Sequence, residues 1–224
     1  MQVLKDQHWH LLFLILLLGS VFFYLNNNGS LLQGKFWSMP TSTWLVLAIL
    51  APIIHQVYVL ICWRLELYYH SLSKSFGAKS FKLYKIGFAI LILSRLVTII
   101  ILAHSSPKTL NLKTEFAYLL ASIFFLLSAY LFYSVFRYFG IDRAFGKDHF
   151  HPEEFKNEPF VKQGIFKYTA NGMYLCGFFI LWIPGLLLLS KAAILVALFN
   201  HAYIWVHYYF TELPDMKRIY GEIE

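Results

Sequence analysis

The chain has 224 residues, of which 58% are hydrophobic and 19% aromatic while only 14% are charged, a balance that excludes an ordinary water-soluble domain and makes a bilayer the expected solvent. The net charge of +7 does not point to nucleic acid, because Lys and Arg cluster beside apolar runs rather than on a soluble basic face. Cys62 and Cys176 both fall inside apolar runs, so no disulfide or cysteine metal framework is expected.

In chain order, apolar runs occur at about 9–25, 44–63, 84–103, 116–136, 173–189 and 192–210. They predict an all-α fold, a polytopic membrane bundle of about six spans with a C-terminal helical hairpin. The first run follows Lys5 but is not trailed by a small-x-small cleavage site after Gly19-Ser20, so it is expected to stay as an anchor. Pro184-Gly185 interrupts the fifth run, which a bundle tolerates as a kink. Lys191 marks the hairpin tip and is expected to reach toward headgroups. The segment 64–85 carries Arg64, Lys74, Lys79, Lys82 and Lys85, and the segment 137–172 carries Arg137, Arg143, Lys147, Lys156, Lys162 and Lys167, whereas the first and third connections hold only Lys35, Lys108 and Lys113. The positive-inside rule then places both basic segments and both termini in the cytoplasm. The chain reads as one domain, 1–224, with N-terminal spans over 1–136 and the functional half over 137–224.

The chemistry-bearing residues gather where spans end. Trp63-Arg64-Leu65-Glu66 closes the second span as an aromatic and basic border. Gly140-Ile141-Asp142-Arg143 and Ala144 to Phe150 follow the fourth span, and there His149 and His151, with Asp148, Glu153 and Glu154, fit no closed zinc spacing, so no metal is expected. His149 is instead placed to accept a proton near a headgroup. On the last span His201, Trp205, Tyr208 and Glu212 fall at i, i+4, i+7 and i+11, one stripe of a helix, and such groups are costly to aim at lipid tails. Polar groups at both ends of the apolar hairpin, from Gly164 to Tyr174 and at Glu212, can therefore face one pocket.

Gly164, Phe166-Lys167-Tyr168, Asn171, Tyr174, Glu212 and Tyr220-Gly221 stand in an order that resembles the integral-membrane methyltransferases, the superfamily of phosphatidylethanolamine N-methyltransferase and isoprenylcysteine carboxyl methyltransferase. The departures are Ala170 in place of the usual Arg and Gly172 in place of the usual Pro. Leu72-Ser73-Lys74-Ser75-Phe76-Gly77, and Gly140, Phe145, Asp148 and Phe150, resemble the phospholipid branch more than the prenylcysteine branch. The resemblance implies S-adenosylmethionine as cofactor, held by Gly140, Asp142, Gly164, Tyr168, Asn171, Tyr174, His201 and Glu212. It also implies membrane lipid as partner and a lipid amine, such as phosphatidylethanolamine or its partly methylated forms, as substrate. Trp205, Tyr208 and Tyr209 would line the acceptor side, and Asp148, His149 or Glu212 would take the proton that an ammonium must lose before it can attack. A prenylcysteine carboxylate or small thiol as acceptor, or a nicotinamide-dependent sterol reductase, are the alternatives. The reductases usually keep an Arg-His-Pro-x-Tyr motif that this sequence lacks.

Overall fold

The computed structural model describes residues 2–221. The fold is a bundle of long helices that ends in a C-terminal hairpin. The first four are α1 (Gln7–Asn26), α2 (Thr41–Tyr69), α4 (Ser80–Ser105) and α5 (Thr114–Ser134), with the short α3 (Ser71–Phe76) between α2 and α4. The stretches Gln2–Asn26, Thr41–Tyr69, Ser71–Ser105 and Thr114–Phe139 are each long and apolar enough to cross a membrane.

The C-terminal hairpin is less regular than its apolar runs predict. Its first arm is divided into α9 (Gly172–Leu175), a 3-10 turn (Gly177–Leu181) and α10 (Ile183–Leu187), so the break extends well beyond the single kink expected at Pro184. The second arm, α11 (Lys191–His207), passes through a π turn (Tyr208–Glu212) into α12 (Leu213–Tyr220), and it carries Asn200, His201 and His207 within its length. Ser190 caps α11 by accepting from the Ala193 N–H at 3.3 Å. Lys191 is not free at the hairpin tip: its ammonium donates to Asn28 Oδ1 at 3.4 Å and lies 5.4 Å from the Tyr24 ring.

The two ends of the bundle differ in character. At one end, Thr41 Oγ1 donates to the Ser105 carbonyl, Lys108 N–H to Leu188 and Leu110 N–H to Leu189, tying three tight connections together. The other end gathers the longer polar segments, namely the segment before α1, the α2–α4 connection, the 140–171 segment with α6 (Ile141–Ala144), α7 (Lys147–Phe150) and α8 (Pro152–Phe155), and α12. Lys85 to Asp142 at 2.7 Å and Arg64 to Asp215 at 3.2 Å join these pieces. Both basic segments and both described chain ends therefore lie at the same end, as the charge distribution predicts.

Packing explains the arrangement. Ala48, Ala103, Ala192, Ala193 and Ala197 are fully buried between α2, α4 and α11, and small side chains let helix backbones approach closely in lipid. Ile86, Ile90, Leu93 and Val97, at helical spacing on α4, are exposed and form an apolar outer face.

Candidate active site

The polar end is built around an ion pair that its sequence position disguises. Arg64 counts as part of a basic border in the sequence, yet its side chain is 1% exposed and its Nε donates to Asp215, itself 0% exposed. Its other nitrogens donate to the carbonyls of Val3, Lys5, Phe210 and Thr211 at 3.0, 2.6, 3.1 and 3.4 Å. Pro214 has no N–H, so the Phe210 carbonyl loses its ordinary helical donor. Arg64 and the Gln7 amide, at 2.8 Å, supply the missing bonds. The guanidinium thus holds the π turn that presents Glu212.

Beside it, α7 brings Asp148 and His149 inward. His149 is 1% exposed, stacks on Trp63 with centroids 3.9 Å apart, and shares a hydrogen bond with Asp148 through Nδ1 at 2.9 Å. Its Nε2 has no hydrogen-bond partner and lies 3.9 Å from Asp215. The loop can pass this close only because residue 146 is glycine: its φ is 86°, and a Cβ there would collide with the Trp63 indole. Tyr220 donates to the second Asp148 oxygen at 2.8 Å and accepts from Arg143 at 3.3 Å. Burial alone would favour neutral forms of both residues of the pair. The facing charges outweigh it, holding Asp148 below the usual carboxylate range and His149 above the usual imidazole range.

Glu212 sits deep among protein atoms, next to the Tyr174 hydroxyl. Burial pushes its carboxyl up to about 7, with Tyr174 and His149 opposing the rise and Asp148 and Asp215 adding to it. No basic side chain among the described residues lies within ion-pair distance of it. Aromatic rings close in around it: Tyr174 lies 5.8 Å from Trp205 and 5.1 Å from Tyr208, and Trp205 and Tyr208 are 5.8 Å apart, edge to face. The Asn171 amide is beside the Tyr208 hydroxyl. A carboxyl with no protein counter-ion among the described residues, beside a cluster of aromatic rings, has the chemistry to suit a cationic ligand group.

Residues 116–223 match the family model of the phospholipid methyltransferases. Just under half of the chain is therefore similar to the phospholipid methyltransferases. No curated protein and no solved structure matches the chain. The matched region takes in α5, the 140–171 segment and the whole hairpin, which are the elements that carry Asp148, His149, Tyr174 and Glu212.

The residues singled out from sequence separate into groups. Asp148, His149, Asn171, Tyr174, Trp205, Tyr208 and Glu212 come together. Gly140 has φ 89° and open space on the side where a Cβ would project. Asp142 instead pairs with Lys85 near the surface. Gly164 adopts φ 58° and fits against Ser134, whose hydroxyl accepts from the Ile165 N–H at 3.0 Å, a joint that fastens the loop to α5. Tyr168 is 76% exposed, outside the buried group, and Tyr209 is 54% exposed at the edge of the aromatic cluster. His201 lies farther down α11 among Phe178, Phe179 and Trp182, whose indole N–H donates to its Nδ1 at 3.2 Å. Among the described residues no cluster of His, Cys, Asp and Glu is arranged to hold a metal.

Three contributors escape the sequence reading in this role: Arg64, Asp215 and Tyr220. A signal for Arg64 was available, since a charge just inside an apolar span beside Trp63 must either snorkel or find a partner. Asp215 carries a similar one, three residues past Glu212 on the same helical run.

Proposed function

We propose that the chain transfers methyl groups from S-adenosylmethionine to the amine of a membrane phospholipid, phosphatidylethanolamine or its mono- and dimethyl forms, at the cytoplasmic end of the bundle. The observation that carries this reading is Glu212, an uncompensated carboxyl held near neutrality inside an aromatic enclosure, within the region that matches the family. S-adenosylmethionine, when bound, supplies an electrophilic methyl group. Glu212, Asn171, Tyr174 and the open backbone at Gly140 are the residues suited to hold it, a carboxylate and ring faces being matched to its positive charges.

The chain's own contribution is alignment, water exclusion and one proton transfer. An amine headgroup rests as ammonium and must give up a proton before it can attack, a step for which the carboxyl groups of Asp148 and Glu212 are the candidates. His149 is less suited to this step, because Asp148, Asp215 and Glu212 favour its charged form and Trp63 covers its ring. Its role in this scheme is to set the local field and the position of Asp148. Trp205 and Tyr208 offer ring faces to the acceptor as it gains methyl groups, and Tyr209 borders the path from lipid.

Incubating purified protein with labelled S-adenosylmethionine and a panel of phosphatidylethanolamines, prenylcysteines and thiols tests the proposal. Label is expected on the phospholipid amine. Label on a carboxyl ester or thioether would replace the acceptor, and stabilisation by a nicotinamide dinucleotide but not by S-adenosylhomocysteine would replace the reaction. The orientation is tested separately. Cysteines placed at the exposed positions Ser75 and Asn157 should both resist an impermeant thiol reagent in intact cells, and labelling of either one refutes a cytoplasmic site.

A further inference from the structure

Arg95 stands midway along α4, inside what the sequence shows as an unbroken apolar span, and it is 1% exposed. A long basic side chain near a helix end can snorkel to water, but one at this depth cannot. It has no carboxylate partner either: no Asp or Glu among the described residues lies within ion-pair distance of its guanidinium. One terminal nitrogen donates to the Pro52 carbonyl at 3.3 Å, and the Gln56 side-chain oxygen can accept from the same nitrogen at 3.3 Å while its amide donates to the Tyr203 carbonyl. The Nε and the remaining terminal nitrogen have no partner. Phe178 covers the guanidinium at 5.5 Å.

The neighbourhood adds donor capacity and no negative charge. His55, on α2 beside Gln56, is 4% exposed, packs edge-on against Phe88 at 4.6 Å, and leaves both ring nitrogens without partners. α2 and α4 pack side by side along this stretch. A guanidinium cannot discharge itself by losing a proton, and a lone charge in a low-dielectric interior is expensive unless it is paired. Buried N–H donors that find no protein partner, beside an uncompensated positive charge, ask for an anion.

We propose that Arg95 and His55 form a buried site for a small monovalent anion such as chloride, held between α2 and α4. A monatomic ion suits donors that arrive from two closely packed helices, where a polyatomic oxyanion would force the helices apart. The proposal does not depend on the methyl-transfer reading. Its effect is structural: an anion bound only by the folded bundle stabilises it by mass action.

The test uses the purified full-length chain in detergent, with its melting temperature followed by intrinsic fluorescence as sodium chloride replaces sodium gluconate at constant ionic strength and pH. A saturable rise of several degrees is expected in chloride, reproduced by bromide and lost in Arg95→Gln. Equal melting temperatures in chloride and gluconate overturn the proposal, as does a rise that Arg95→Gln retains. Should Arg95→Gln fail to fold, crystals of the unaltered chain grown in bromide decide: an anomalous peak against the Arg95 guanidinium supports the site, and water alone at that position overturns it.

Discussion

Glu212 offers the sharpest test, because its neutral isostere should improve stability while removing function. In the folded chain its carboxyl is pushed up to about 7 from an ordinary 4.5. A raised carboxyl favours the folded state most below the unfolded value, and that advantage is lost as pH rises through the folded value. With a tenfold change in proton affinity worth about 1.4 kcal/mol, the penalty is under ~1 kcal/mol at pH 5 and approaches ~3 kcal/mol by pH 8, an upper figure because the carboxyl keeps some surface. Glu212→Gln keeps the shape and carries no such penalty. Ligand-free protein unfolded by a graded detergent series in mixed micelles should therefore show the variant close to wild type at pH 5 and more stable at pH 8, with methyl transfer severely reduced at both. S-adenosylhomocysteine affinity measured by calorimetry should fall about tenfold or more, the loss expected when one charge-assisted contact disappears. A variant that is less stable at pH 8, or whose difference from wild type does not change with pH, would refute the reading of Glu212 as an uncompensated buried carboxyl.

Other outcomes follow from the same geometry. Arg64→Met should destabilise by about 3–5 kcal/mol, since it strands buried Asp215; adding Asp215→Leu should recover part of the loss, and a double-mutant cycle in denaturing detergent that shows simple additivity would deny the coupling. Tyr220→Phe removes the hydrogen bond to Asp148 at a cost of about 1 kcal/mol, and should lower turnover more than cofactor affinity if its role is to position the Asp148–His149 pair. Gly164→Ala forces a side chain into a left-handed position against Ser134, at a cost of roughly 1–3 kcal/mol read from the same unfolding series. Tyr168→Ala, at a mostly exposed position, should leave S-adenosylhomocysteine affinity unchanged, and a marked loss would return this tyrosine to the binding site.

What the sequence determined by itself is whatever depends on composition and on spacing along one element. Six apolar runs are recognisable without a fold, of which four form helices long and apolar enough to cross a membrane, and the placing of both basic segments at one end is legible too, because bulk hydropathy and charge asymmetry are properties of the chain. The grouping of Trp205, Tyr208 and Glu212 was legible for the same reason, being written into helical periodicity, and Asn171 and Tyr174 were legible through their resemblance to a known order of residues. Contacts between elements distant in the chain were decided by tertiary structure. Arg64 reads as a border charge until α12 delivers Asp215 to it, and His149 reads as a base until Asp148, Asp215 and Trp63 surround it. Tyr168 and Asp142 sit in motif positions, yet the turn after Gly164 and the ion pair with Lys85 set them outward. The segmentation of the hairpin's first arm was hidden as well, since apolar side chains report burial but not whether each backbone carbonyl finds its helical partner. Arg95 shows the limit most clearly: its charge is plain in the sequence, but only packing reveals that no acidic group among the described residues reaches it.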